Sequence, residues 1–124
     1  MKTIRISNPA RGVVVCQKCA LADKLWTRGR GLLGRKSLAE GEGILLVPGT
    51  SIHMFGMKFS IDVLFLTQDH RVTDLVENIA PGKAHVARGE AGKPHSALEL
   101  AAGTIQKCGV QLGDQLTLEP VTEA

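Results

Sequence analysis

Ile61-Asp62-Val63-Leu64-Phe65-Leu66-Thr67-Gln68-Asp69-His70-Arg71-Val72-Thr73-Asp74-Leu75-Val76-Glu77-Asn78-Ile79 is the stretch that decides the fold. Its first six residues are an apolar run of strand length, Gln68-Asp69-His70 has the polar composition of a tight hairpin loop, and residues 72–79 supply a return strand. The segments 64–66 and 72–76 are spaced as antiparallel partners. Downstream, Ala80-Pro81-Gly82 is a turn, and residues 82–95, with three glycines, Pro94 and several charges, form the longest polar stretch. Ala97-Leu98-Glu99-Leu100 reads as a strand with Leu98 and Leu100 on one face. Residues 103–109 read as one helical turn capped by Gly109, and 115–119 as a final strand.

Upstream, Ile44-Leu45-Leu46-Val47 is a strand-length apolar run between Gly41-Glu42-Gly43 and Pro48-Gly49, while residues 52–59 are mixed. Val13-Val14-Val15 lies in a first strand over 11–18, and residues 1–10 are polar with a turn signal at Asn8-Pro9. Asp23 stands where a helix N-cap would, and Leu25, Leu32 and Leu33 share a face, predicting a short helix that ends near Gly34. Short runs punctuated by Gly and Pro about every ten residues indicate a mainly β sandwich or barrel (α+β by content), with one or two short helices, rather than a βαβ winding.

The chain has 124 residues, the size of a single domain, with 44% hydrophobic and 22% charged residues. Four aromatics, Trp26, Phe55, Phe59 and Phe65, leave the core to Val, Leu and Ile and argue against a stacking platform for nucleic acid. The formal charge of +3 is too small to predict specific nucleic-acid binding. No stretch approaches the ~20 apolar residues of a membrane helix. The basic N-terminus has no apolar run behind it, so a chain starting naturally at Met1 is expected to be cytoplasmic. Three cysteines, Cys16, Cys19 and Cys108, favour reduced thiols over a disulfide framework.

Three blocks resemble one family. Arg30-Gly31-Leu32-Leu33-Gly34-Arg35-Lys36-Ser37-Leu38 with Glu42-Gly43-Ile44-Leu45-Leu46-Val47 is similar to the opening of the bacterial and archaeal domain of unknown function 192 (DUF192) family. Met54-Phe55-Gly56-Met57-Lys58-Phe59-Ser60-Ile61-Asp62-Val63-Leu64-Phe65-Leu66 resembles its central block. Leu98-Glu99-Leu100-Ala101-Ala102-Gly103 with Gly109-Val110-Gln111-Leu112-Gly113-Asp114 resembles its closing block. The likeness spans about residues 12–119 and implies a small jelly-roll-like β-barrel or sandwich, with no established activity. Where the family typically shows Trp-Met-Lys-Asn, this chain has Phe55-Gly56-Met57-Lys58-Phe59.

Several groups are candidates for chemistry. Cys16-Gln17-Lys18-Cys19 has C-x₂-C spacing, but zinc requires four ligands, and residues three apart on a continuing strand face opposite ways. Lys24, Arg28, Arg30, Arg35 and Lys36 form a basic cluster that suits an anion, followed at once by Glu40 and Glu42. His53, Met54, Met57 and Lys58 combine soft and basic groups, and the two methionines serve equally as core fillers. Asp62 at a pocket mouth and Glu99 inside an apolar strand each need solvent or a partner, with Lys58 or Arg35 available.

Gly29-Arg30-Gly31-Leu32-Leu33-Gly34 matches G-x-G-x-x-G without the strand that must precede it. The expectation is therefore a non-enzymatic ligand- or protein-binding β module. Arg30, Arg35, His53, Met57, Lys58, Asp62 and Glu99 are its candidate binding residues, for a small anionic ligand or an acidic protein segment. No cofactor is expected. The alternatives are a metal- or thiol-dependent protein using Cys16 and Cys19 with His53, His85, His95 or Cys108, zinc being the metal, and a structural subunit that pairs through a sheet edge.

Overall fold

The computed structural model describes residues 2–22, 32 and 34–121. Among them, nine strands form: β1 Thr3–Asn8, β2 Val13–Ala22, β3 Glu42–Leu46, β4 Ser51–His53, β5 Ile61–Leu66, β6 Val72–Ile79, β7 Ala84–Val86, β8 Ser96–Ala101 and β9 Thr117–Pro120. One short helix, α1 Thr104–Cys108, follows β8 and ends at Gly109, whose left-handed φ of 66° returns its N–H to the last helical carbonyls. The helix expected over residues 23–34 lies outside the described residues, except for Leu32, which is buried, and Gly34.

Seven strands make one mixed sheet in the order β6-β5-β8-β3-β2-β1-β9, with β2 and β3 parallel and the other neighbours antiparallel. β4 and β7 form a separate antiparallel ribbon. The mainly β expectation holds, but the sheet does not close into a barrel. Its edge strands approach through the segment before β9: Arg71 and Gln115 form an isolated bridge, and Val72 donates to the Asp114 carbonyl at 2.8 Å.

The β5–β6 hairpin forms where the sequence places it. The His70 N–H closes the turn on the Thr67 carbonyl at 3.0 Å, with His70 at a left-handed φ of 70°. All six residues of β5 are buried because the strand has core on both faces. Leu64 and Leu66 join Leu98, Leu100, Leu45 and Ile6 in one cluster, while Ile61, Val63 and Phe65 join Ile44, Ile52, Met54 and Ala97 in the other. Each such side chain contributes roughly 1.5–3 kcal/mol of transfer free energy when fully buried.

Two strands depart from the sequence reading. β1 occupies the segment read as polar; its Thr3, Arg5 and Ser7 alternate with buried Ile4, Ile6 and Asn8. β7 forms inside the long polar stretch, held by its register with β4 (Ser51 opposite Val86, His53 opposite Ala84) rather than by its own hydrophobicity. No helix of the described residues is long and apolar enough to cross a membrane.

Candidate functional site

β8 carries Glu99 into the second cluster. Its partners across the sheet are Ile44 on β3 and Val63 on β5, both members of that cluster, and residues paired directly across strands share a face. Glu99 is 6% exposed, and among the described residues no hydrogen bond or ion pair reaches its carboxyl. Burial alone pushes its pKa up to about 7. A polar group held in this way costs stability that an apolar residue at the same position would not.

The wall over this face is built by β4 and the segment after it. Ile52 and Met54 are buried, and Met57, Phe59 and Leu38 pack half-buried against the same cluster. Met54 is pinned through its backbone: its N–H reaches the Lys83 carbonyl at 2.7 Å, and its carbonyl accepts from Gly82 at 2.9 Å and Met57 at 3.1 Å. The wall therefore combines fixed backbone with adaptable thioether side chains.

A His–Asp pair closes the edge of the face. Asp74 on β6 stands opposite Phe65, and its Oδ2 lies 2.7 Å from His85 Nε2 of β7. The same Oδ2 accepts from the Arg88 N–H at 2.8 Å, and Oδ1 accepts from the Leu75 N–H at 2.8 Å. The His85 ring stacks on Phe65 with centroids 5.7 Å apart. Burial raises the Asp74 pKa, but hydrogen bonds from His85, Arg88 and Leu75 outweigh it, and the carboxyl sits below its ordinary value. The pair clasps the β4–β7 ribbon onto the main sheet. Asp74 was not among the residues singled out from sequence: eleven positions separate it from His85 and no motif links them.

The other expected residues divide. Met57 shares the Glu99 face, while His53 and Lys58 are exposed on the same covering segment, with the His53 ring stacked on Phe55 at 5.1 Å. Arg35 pairs with Glu42 at 3.4 Å on the surface and so is not the partner of Asp62 or Glu99; Lys58 is not either. Asp62 is fully buried on the opposite face, opposite Leu100, and is a structural clamp rather than a pocket-mouth residue. Its Oδ1 accepts from the Asn78 N–H at 2.9 Å, and its Oδ2 from the N–H groups of Gly103 at 3.1 Å and Ile105 at 2.9 Å. Arg30 lies outside the described residues.

Cys16 and Cys19 correct the expectation most sharply. Ile4 pairs with Cys19 and Ile6 with Cys16, so Arg5 alone stands opposite both Gln17 and Lys18. This β-bulge shifts the alternation by one residue. Gln17 and Lys18 are both exposed, and the two cysteines face the same way, fully buried in the first cluster. Among the described residues, no three His, Cys, Asp or Glu side chains gather as a metal would require.

Comparison with known proteins follows the fold. The sequence profile of the DUF192 family, described as an uncharacterized ACR, matches residues 6–118. A UPF0127 protein of Thermococcus sibiricus is 31% identical over 116 residues, covering 90% of this chain and 73% of that protein. A crystal structure of a protein of unknown function from Novosphingobium aromaticivorans superposes with a TM-score of 0.77 at 23% identity, over 93% of this chain and 83% of that one. A proposed transcription regulator from Sinorhizobium meliloti superposes with a TM-score of 0.76 at 26% identity, over 94% and 92%. With a profile match over nearly its whole length and this curated relative, the chain belongs to the DUF192 family.

Proposed function

We propose that the chain is a non-enzymatic binding module whose ligand seats against the face around Glu99. One observation carries the reading: a carboxyl group, 6% exposed and without a hydrogen-bond partner among the described residues, is set in an apolar face under a methionine-bearing wall. A binding face of this kind takes its affinity from apolar contact and its selectivity from few polar groups. With a pKa of about 7, the Glu99 carboxyl donates one hydrogen bond when protonated and accepts when ionised.

This chemistry favours a ligand with an apolar body and a single amine, amide or hydroxyl group. It favours a small anion less, because the Arg35 charge is already paired with Glu42 and an ionised Glu99 repels anions. A thermal-shift screen of alkyl amines, amides and carboxylates against wild type and Glu99→Leu tests the reading. Amines or amides are expected to raise the wild-type Tm, and Glu99→Leu to remove that shift while remaining folded. Equal shifts in both proteins, or none from any class, refute it.

A further inference from the structure

We propose that the outer edge of β7 is a docking site for an extended, acidic peptide segment, which adds to the β4–β7 ribbon as a third strand. This surface is separate from the Glu99 face. The case begins with the ladder. Ala87 donates to the Thr50 carbonyl at 2.9 Å and Met54 to the Lys83 carbonyl at 2.7 Å, so Thr50 with Ala87, and Met54 with Lys83, are hydrogen-bonded pairs. Opposed residues of antiparallel strands alternate between bonded and non-bonded pairs. In this register Ser51 with Val86, and His53 with Ala84, are the non-bonded pairs, and their backbone groups point out of the ribbon. On β7 the N–H and C=O groups of Ala84 and Val86 therefore line one edge, and among the described residues nothing hydrogen-bonds to them.

The side chains alternate in step with the backbone. Ile52 turns into the second cluster and His85 onto Phe65, while Ser51, His53, Ala84 and Val86 are exposed on the outer face. Val86 is 74% exposed, and Phe55, just beyond β4, is 59% exposed. Apolar side chains beside an unpaired strand edge are what an added strand covers. The edge of β6 is already taken in part, since the Glu90 N–H bonds the Thr73 carbonyl at 3.2 Å.

Charge selects the partner. Residues 50–60 and 81–89 contain no Asp or Glu and carry Lys58, Lys83 and Arg88. All three are exposed, and among the described residues none enters an ion pair. Asp74 is already bonded to His85 and to the Arg88 N–H, and Glu90 bounds the patch. A second copy of this chain fits badly, because pairing two β7 edges sets the Lys83 and Arg88 charges of both copies against one another. A segment that alternates apolar residues with carboxylates meets these cations, while its backbone completes the ladder.

The test uses the full chain and a fluorescein-labelled peptide of alternating valine and glutamate. Anisotropy is expected to show saturable binding that weakens with salt, and little binding when lysine replaces the glutamates. Val86→Pro removes an outward N–H without breaking a ladder bond; it is expected to weaken binding roughly tenfold or more, as is Lys83→Glu combined with Arg88→Glu. Ser51→Pro makes the same change on the β4 edge and should leave the affinity within about twofold of wild type. Bound wild type should show slowed hydrogen exchange at Ala84 and Val86. The proposal is overturned by no binding, by equal binding of the lysine peptide, by unchanged affinity in Val86→Pro, or by an equal loss in Ser51→Pro. Tighter binding of a single-stranded oligonucleotide, or self-association that Val86→Pro abolishes, overturns it too. Should Val86→Pro fail to fold, exchange in wild type decides: slowing at Ala84 and Val86 supports the site, and unchanged exchange there overturns it.

Discussion

Glu99 makes the stability of this protein depend on pH in a direction that can be worked out. Its carboxyl has a folded pKa of about 7, against about 4.3 in an unfolded chain. Between those values the folded state holds the proton and the unfolded state does not, so stability falls as pH rises. The favourable contribution is complete below about pH 4.3 and is lost by the time pH passes 7. The difference corresponds to about 4 kcal/mol. Urea denaturation should show wild type losing stability relative to Glu99→Gln between pH 4.5 and pH 8, with Glu99→Leu the most stable of the three at pH 8. A parallel pH profile for wild type and Glu99→Gln would mean that the carboxyl is solvated after all. The acid was visible in the sequence because Leu98 and Leu100 flank it. That no cation among the described residues answers it was not visible, because the partners on offer, Arg35 and Lys58, lie in connecting segments whose placement depends on the whole sheet.

At the scale of elements, two carboxylates act as fasteners. Asp62 collects three backbone N–H groups, from the end of β6 and the start of α1, which a short helix without a side-chain cap would otherwise leave unsatisfied. Asp62→Ala is expected to cost about 3 kcal/mol or more, since three backbone donors lose their acceptor. Asp62→Asn should cost less, because its amide oxygen still accepts. Urea midpoints measure both, and equal midpoints for wild type and Asp62→Ala would show that the turn satisfies itself. Asp74 does the corresponding work for the β4–β7 ribbon. His85→Ala should speed hydrogen exchange at residues 51–53 and 84–86 while β5 keeps its protection; uniform loss across β5 would mean that the ribbon is not a separate unit. These fasteners explain what was legible. The β5–β6 hairpin could be read because an apolar run, a polar loop and a return run lie within nineteen residues. β1 was obscured by Asn8-Pro9, although Ile4 and Ile6 carried the period-two signal. The bulge at Gln17 and Lys18 leaves no mark in composition, since it is a property of pairing with β1. β7 depends on β4 and on the Asp74–His85 contact, and neither is local.

For the molecule as a whole, the open sheet raises the question of what holds its two edges, and Asp114 is the residue at that junction. Its carbonyl accepts from Val72 at the start of β6 at 2.8 Å. Its carboxylate binds Arg11 through two nitrogens, at 2.7 and 2.9 Å, and Asn8 at the end of β1 at 2.9 Å. The Gln111 N–H adds a further bond at 2.9 Å. One residue thus joins β6, at one edge, to β1, which lies beside β9 at the other. The Arg11 hydrogen bond, with further help from Gln111 and Asn8, holds the carboxyl down at about 2. A depressed carboxylate pKa contributes stability above the unfolded value, and that contribution is lost as pH falls through the folded value. Asp114→Asn is therefore expected to be less stable than wild type at pH 7. Because Arg11 is largely open to water, the loss should be only about 1 kcal/mol. The gap should narrow between pH 4 and pH 2, where wild type gives up the same interaction. Salt should narrow it as well, since screening weakens an exposed pair. Denaturation at pH 7, 4 and 2 in low and high salt measures all three effects. Equal stability of the two proteins at pH 7 and low salt would assign the joining of the edges to the backbone bonds around Val72 and Gly113 alone.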